Sequence, residues 1–221
     1  NGIEVHLTAG QGCCGALNTH AGEPDSAIEM AKKNIDSFLS ANPDAIVSAS
    51  AGCGAAMKDY GELFRDEGEY AERAKKVADL TRDIHELLVE YDFEPPAGML
   101  DVTVTYQDPC HLLNAQRITE APRQILSSIP GLKLVELGEP AICCGSAGTY
   151  SITQREMSAR LGKRKARNVI ATGAEIVATG NPGCAMQLDF ALRQIANDES
   201  GEPTTKVRYV VDLLDAAYAL D

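Results

Sequence analysis

The sequence predicts an α/β fold of two repeated modules, each a small, mainly parallel sheet covered by helices. Three observations carry this expectation. Short apolar runs alternate with stretches of helical periodicity, the pattern of strands joined by covering helices. A set of marks recurs at a fixed shift: Cys13-Cys14-Gly15-Ala16 returns as Cys143-Cys144-Gly145-Ser146, 130 positions on. Between the two copies, Glu94-Pro95-Pro96-Ala97-Gly98 reads as a linker. The module boundaries are therefore set at residues 1–95 and 99–221.

The repeat extends beyond the paired cysteines. Ile46-Val47 lands on Ile176-Val177, and Ala51-Gly52-Cys53 matches Pro182-Gly183-Cys184 after a single inserted residue. Cys14 lies 39 positions before Cys53, and Cys144 lies 40 before Cys184. Two spacings this close point to a duplicated unit.

Taken in order, the apolar run at 3–7 is strand-like. Ile28, Ala31, Ile35 and Leu39 recur at helical spacing, so a helix is expected over 26–41, capped by Ser26 and stopped by Asn42-Pro43. A buried strand follows at 45–50, and Gly52-Cys53 opens another helix. A long helix is expected over 70–91. In the second module, strands are expected at 102–106, 132–137, 175–179 and 207–210. Helices are expected at 112–128, at 154–171 with Gly173 ending it, after Pro182, and at 211–220.

With 44% hydrophobic and 24% charged residues in 221, the chain can bury a core, which excludes disorder. Its net charge of -12 and lack of a long Lys/Arg run oppose nucleic acid, itself densely negative. No apolar stretch is long enough for a spanning helix, and no signal peptide is evident. The start at Asn1, directly before a strand-like run, leads us to expect further chain upstream.

Seven cysteines are present: Cys13, Cys14, Cys53, Cys110, Cys143, Cys144 and Cys184. An odd count with two adjacent pairs is a poor disulfide framework. Clustered thiols in an acidic chain without an export signal suggest a reducing compartment, here the cytoplasm, and metal or redox chemistry. In the second module each thiol follows an expected strand, so three loops would bring four sulfurs to the carboxyl edge of one sheet. Gly15 and Gly145 let the backbone turn sharply after each pair. Helix N-termini behind Cys53 and Cys184 favour thiolate. Four soft sulfurs suit iron–sulfur clusters or zinc. The spacing is not that of a zinc ribbon or a bacterial ferredoxin, and no CxxC is present for thioredoxin-type exchange. A redox pair made of vicinal thiols alone would leave Cys110 and Cys184 without a role. The first module shows only Cys13, Cys14 and Cys53; the partner equivalent to Cys110 would fall before residue 1.

Other residues beside these motifs are candidates as well. His111 follows Cys110 directly and His20 follows the first pair, so either imidazole is a candidate extra ligand. Asp108 is expected to cap a helix starting near Pro109. Arg117 is placed to offset thiolate charge or to form a surface salt bridge. Asp66 to Glu72 and Lys163-Arg164-Lys165 read as solvated helix faces, the latter also as a docking surface.

The arrangement Cys110, Cys143-Cys144-Gly145, Cys184 resembles the cysteine-rich CCG domain, which usually occurs in tandem. That domain is found in the cysteine-rich subunits of heterodisulfide reductase and anaerobic glycerol-3-phosphate dehydrogenase, in lactate-utilisation proteins and in the glycolate oxidase iron–sulfur subunit. The strongest likeness is to the last of these. It rests on Ala51-Gly52-Cys53-Gly54-Ala55-Ala56-Met57-Lys58-Asp59-Tyr60, Asp108-Pro109-Cys110-His111-Leu112, Cys143-Cys144-Gly145-Ser146-Ala147-Gly148 and Thr179-Gly180-Asn181-Pro182-Gly183-Cys184. The resemblance implies an iron–sulfur cluster on the cysteines and an electron-transfer role. It also implies an FAD-containing 2-hydroxyacid dehydrogenase partner, a quinone or other acceptor at the inner face of the membrane, and a ferredoxin-like segment upstream. In heterodisulfide reductase a CxxC supplies a fifth sulfur to a non-cubane cluster. Here Ala56 and Gln187 stand at those positions, which leaves a cubane 4Fe-4S cluster, with zinc or an empty site in a docking module as the alternatives.

Overall fold

Two parallel sheets organise the chain, one in each of two units, Asn1–Leu87 and Leu88–Asp221. The structure is a computed structural model, and it describes residues 1–198 and 201–220.

The first unit runs α1 (Ala16–His20), α2 (Pro24–Ser40), β1 (Ile46–Ser48), α3 (Ala51–Lys58), α4 (Tyr60–Leu63), α5 (Glu69–Leu80), β2 (Thr81–Asp83) and α6 (Ile84–Glu90), which crosses the divide. Pro24, not Ser26, opens α2; a proline suits the first turn because its missing N–H would have no helical partner there. The stripe Ala27, Ala31, Asn34 and Ile35 turns inward. β1 and β2 pair in parallel, Ile46 opposite Thr81 and Ser48 opposite Asp83. Around them pack Ala31, Ile35, Phe64, Ala74 and Val77, all fully buried. Burying a side chain the size of Ile35 or Phe64 contributes about 1.5–3 kcal/mol.

The second unit continues with β3 (Val102–Tyr106), a π-helical turn (His111–Ala115), α7 (Glu120–Ser128), β4 (Leu132–Val135), α8 (Tyr150–Thr153), α9 (Arg155–Ala171), β5 (Ile176–Thr179), α10 (Pro182–Asp198), β6 (Lys206–Tyr209) and α11 (Val210–Tyr218). All four strands are parallel, in the order β4-β3-β5-β6. Val104 to Tyr106 and Val177 to Thr179 are buried throughout, as expected of central strands covered on both faces. Ala166 and Val169 from α9 and Leu188, Ala191 and Leu192 from α10 close the core over Val177. Below the loops, Thr179 Oγ1 donates to Gln107 Oε1 at 2.7 Å and Gln107 N–H donates to the Ala178 carbonyl at 2.9 Å. These bonds lock the ends of β3 and β5 side by side.

Three expectations fail. The run at 3–7 forms no strand, and Val5 and Leu7 stand exposed; alternating apolar residues make a strand only when another strand lies alongside. The helix expected over 70–91 is interrupted by β2, because pairing with β1 outweighs local helical periodicity. The helix expected over 112–128 is a π-helical turn, a break with Arg117 at φ +58°, and then α7. Pro122 already marked that break, since proline belongs in a first turn and not mid-helix. Among the described residues no helix is long and apolar enough to cross a membrane.

Candidate functional site

The carboxyl ends of β3, β4 and β5, three neighbouring strands, each release a cysteine-bearing loop. Cys110 precedes the π-helical turn after β3, Cys143 and Cys144 lie in the long loop after β4, and Cys184 sits in the first turn of α10 after β5. Their thiols lie near enough to act on one another in series: Cys110 with Cys143, Cys143 with Cys144, and Cys144 with Cys184. Cys144 and Cys184 are buried, while Cys110 and Cys143 are half-buried. His111 Nδ1 lies 3.7 Å from Cys110 Sγ. Among the described residues no three Cys, His, Asp or Glu side chains are drawn up around one point as metal ligands are.

The contact sorts the four thiols into two kinds. Hydrogen bonds from Cys110 and Cys144 hold the Cys143 thiol far below its usual range, and a bond from Cys144 lowers Cys184. The donors, Cys110 and Cys144, are pushed up by those same bonds and then by burial. Gly145 N–H donates to Cys143 Sγ at 3.3 Å and Asn181 Nδ2 to Cys184 Sγ at 3.5 Å, further favouring thiolate at these two. The site thus biases Cys143 and Cys184 towards thiolate and Cys110 and Cys144 away from it, and a bound cation would draw the protons from all four. Four sulfurs of this kind are the soft donor set that iron–sulfur clusters and zinc accept.

Gly145 makes the loop possible. Its φ is +95°, and a Cβ there would stand 2.5 Å from the Ser158 carbonyl oxygen. Ser158 Oγ donates to the Gly145 carbonyl at 2.8 Å, fastening the loop to α9. Gln187, where a CxxC would place a fifth sulfur, instead donates to Ser158 O and Oγ, both at 3.3 Å.

The basic run on α9 is a solvated face only in part. Lys163 and Arg164 are surface residues paired with Asp198 and Glu139, but Lys165 is fully buried. Its Nζ donates to the Glu139 and Pro140 carbonyls at 2.9 and 3.0 Å, just before Cys143. Its charge also acts on Cys143 and Cys184, lowering both. Burial in turn pushes the lysine down, against the thiols and Asp108. The sequence carried a signal of this: positions 158, 162, 165 and 169 form one helical stripe, with Lys165 among its inward residues. Arg117, by contrast, is exposed. Asp108 caps no helix; it receives Arg123 Nη1 and Nη2 at 2.8 and 2.9 Å, a two-pronged pair between the end of β3 and α7.

The first unit brings together fewer groups. Cys14 and Cys53 act on each other; their interaction and burial push Cys14 up, and the same interaction lowers Cys53 to about 6. Cys13 is exposed. Gly15 has φ +84°, with its would-be Cβ 3.0 Å from the Ala27 carbonyl oxygen. Asn34 Nδ2 donates to the Cys13 carbonyl at 2.9 Å and its Oδ1 accepts from Gly12 N–H at 2.7 Å. Tyr60 Oη donates to the Cys14 carbonyl at 2.9 Å, and burial pushes the phenol up to about 12. Sequence reasoning misses Asn34 and Tyr60, though both occupy inward positions of their helices. His20 is exposed at the end of α1.

The family model of the cysteine-rich domain CCG matches residues 1–58 and 104–189. The chain is 38% identical over 195 residues to the probable glycolate oxidase iron-sulfur subunit of Bacillus subtilis strain 168, covering 87% of this chain and 44% of that protein. It is 32% identical over 221 residues to a subunit of the fumarate reductase (CoM/CoB) of Methanothermobacter marburgensis, covering 100% of this chain and 42% of that one. To lactate utilization protein A of Shouchella clausii it is 29% identical over 217 residues, covering 98% and 87%. The chain thus spans less than half the length of the first two relatives. With a Cys-Cys-Gly loop fastened to a long helix in each unit, and with both matched segments holding those loops, the chain belongs to the CCG cysteine-rich domain family.

Proposed function

We propose that this chain is the cysteine-ligated part of an iron–sulfur electron-transfer subunit in a 2-hydroxyacid dehydrogenase complex of the glycolate oxidase type. The observation that carries the reading is the meeting of Cys110, Cys143, Cys144 and Cys184 at the carboxyl edge of one sheet. A bound cluster, of the 4Fe-4S kind, would supply one-electron chemistry there. These four cysteines would hold it, with His111 beside Cys110 as a further candidate. Cys13, Cys14 and Cys53 would hold a second centre only with a ligand from elsewhere, since only Cys14 and Cys53 are in contact.

The residues around the sulfurs have roles to match. Asn181 and Gly145 N–H donate to thiolate sulfur, Lys165 and Ser158 fix the loop, and the burial of Cys144 and Cys184 keeps water away. Substrate oxidation would take place on an FAD-containing partner, and electrons would leave towards a quinone or other acceptor. Support for this comes from the relatives named as iron–sulfur subunits of glycolate oxidase. The protein named for fumarate reductase keeps other partners in view.

The test is iron, sulfide and zinc content per chain on anaerobically purified protein, with an electron paramagnetic resonance spectrum. Iron with sulfide and a reducible signal, lost in Cys144→Ser, supports the reading. Zinc without sulfide, or four intact thiols without metal, overturns it in favour of a docking module.

A further inference from the structure

Helices α2 and α9 are both 17 residues long, and a shift of 131 positions, one more than relates the Cys-Cys pairs, lays one on the other, as it lays Ala27 beside Gly15 on Ser158 beside Gly145. Lys165 then falls on Asn34. Both are buried, at 0% and 1% exposure, and both bond backbone next to a Cys-Cys pair. Holding the loop requires no charge, because neutral Asn34 does it in the first unit. A buried ammonium costs several kcal/mol in desolvation unless negative groups face it. Lys165 sits beneath the loop whose Glu139 and Pro140 carbonyls it bonds, and the ionisable groups that act on it are Cys144, Asp108, Cys184 and Cys143. Asp108 is already closed by both prongs of Arg123, which leaves a positive charge seated on the loop that runs into Cys143 and Cys144.

We propose that Lys165 is a positioning residue whose positive charge raises the reduction potential of the four-sulfur centre in the second unit. This rests on the reading of that centre as an iron–sulfur cluster. A cluster held there would take one electron at a time from the reduced flavin of a partner protein, which is oxidised, and would pass it to a quinone, which is reduced. Lys165 keeps its proton and its bonds to Glu139 and Pro140 throughout. Each electron taken up adds a negative charge beside a fixed positive one in a water-poor site, where the attraction is screened little, so the reduced form gains. The first unit, with asparagine in this place, lacks that bias.

The experiment is a mediated dithionite titration of the full-length protein with its flavoprotein partner. It follows the paramagnetic signal that disappears in Cys144→Ser. Lys165→Gln keeps a donor and removes the charge. It is expected to keep its iron and sulfide but show about a tenfold lower ratio of reduced to oxidised centre at fixed potential, a midpoint about 59 mV lower for one electron. Lys165→Arg keeps the charge and is expected to restore the wild-type midpoint. Lys165→Met removes charge and donor together and should also lose iron faster. An unchanged midpoint in Lys165→Gln overturns the proposal while leaving the cluster reading intact. Loss of fold in both neutral variants overturns it too, by making the residue's role purely structural. Wild-type protein without iron overturns the reading beneath it.

Discussion

In the first unit the Cys-Cys-Gly loop is held by neutral groups, Asn34 on α2 and Tyr60 on α4, which bond the carbonyls of Cys13 and Cys14. In the second unit Ser158 and Lys165 hold it from α9, and a positive charge comes to rest near the sulfurs. The sheets differ in the same direction, two strands against four. Three neighbouring strand ends deliver four contacting thiols in the second unit, while the first brings two into contact. A duplicated scaffold can therefore keep its backbone device and still carry chemistry of different strength. What decides is how many strand ends converge and which side chain sits under the loop.

The largest expected effect separates the two clusters. Cys144→Ser should abolish the second-unit centre, reducing bound iron per chain about tenfold or more, at least the loss typical of supporting groups. Cys13→Ser, at an exposed sulfur, should remove far less. Equal losses in the two variants would mean that both units hold metal alike.

Stability probes the loops themselves. Gly145→Ala forces a Cβ to 2.5 Å from the Ser158 oxygen at positive φ and is expected to cost about 3 kcal/mol. Gly15→Ala meets the Ala27 oxygen at 3.0 Å and should cost about 2 kcal/mol or less. Urea unfolding of the two variants would read the difference, and a reversed order would show that the loops are not packed as described.

Smaller effects test the neutral clamps. Asn34→Ala leaves Gly12 N–H and the Cys13 carbonyl without their partner and should cost about 1–3 kcal/mol. Tyr60→Phe removes one bond to the Cys14 carbonyl and should cost about 1 kcal/mol. Thermal unfolding would rank them, and a larger loss in Tyr60→Phe would move the main clamp from α2 to α4. At the far end of the scale, Lys163→Ala breaks an exposed pair with Asp198 and should shift stability by under about 0.5 kcal/mol. A loss comparable to that of Asn34→Ala would contradict the surface placement of Lys163.

The sequence alone determined the duplication, the α/β class and the strand-to-loop placement of Cys110, Cys143, Cys144 and Cys184. Those features are local: spacing, apolar runs and turn residues need only a few neighbours to be read. It also carried Pro24 and Pro122, whose missing N–H marks a first helical turn whatever the tertiary context. Tertiary structure decided the rest. β2 exists because β1 lies alongside, and without such a partner the run at 3–7 forms no strand. Lys165 is buried while Lys163 and Arg164 are not, because α9 turns only one face to the core and the loop after β4 brings carbonyls to meet it. The helical stripe at 158, 162, 165 and 169 hints that Lys165 turns inward, but the acceptors it meets there, like the pairing partner of a strand, lie many residues away and leave no local mark. They become visible only when the chain closes on itself.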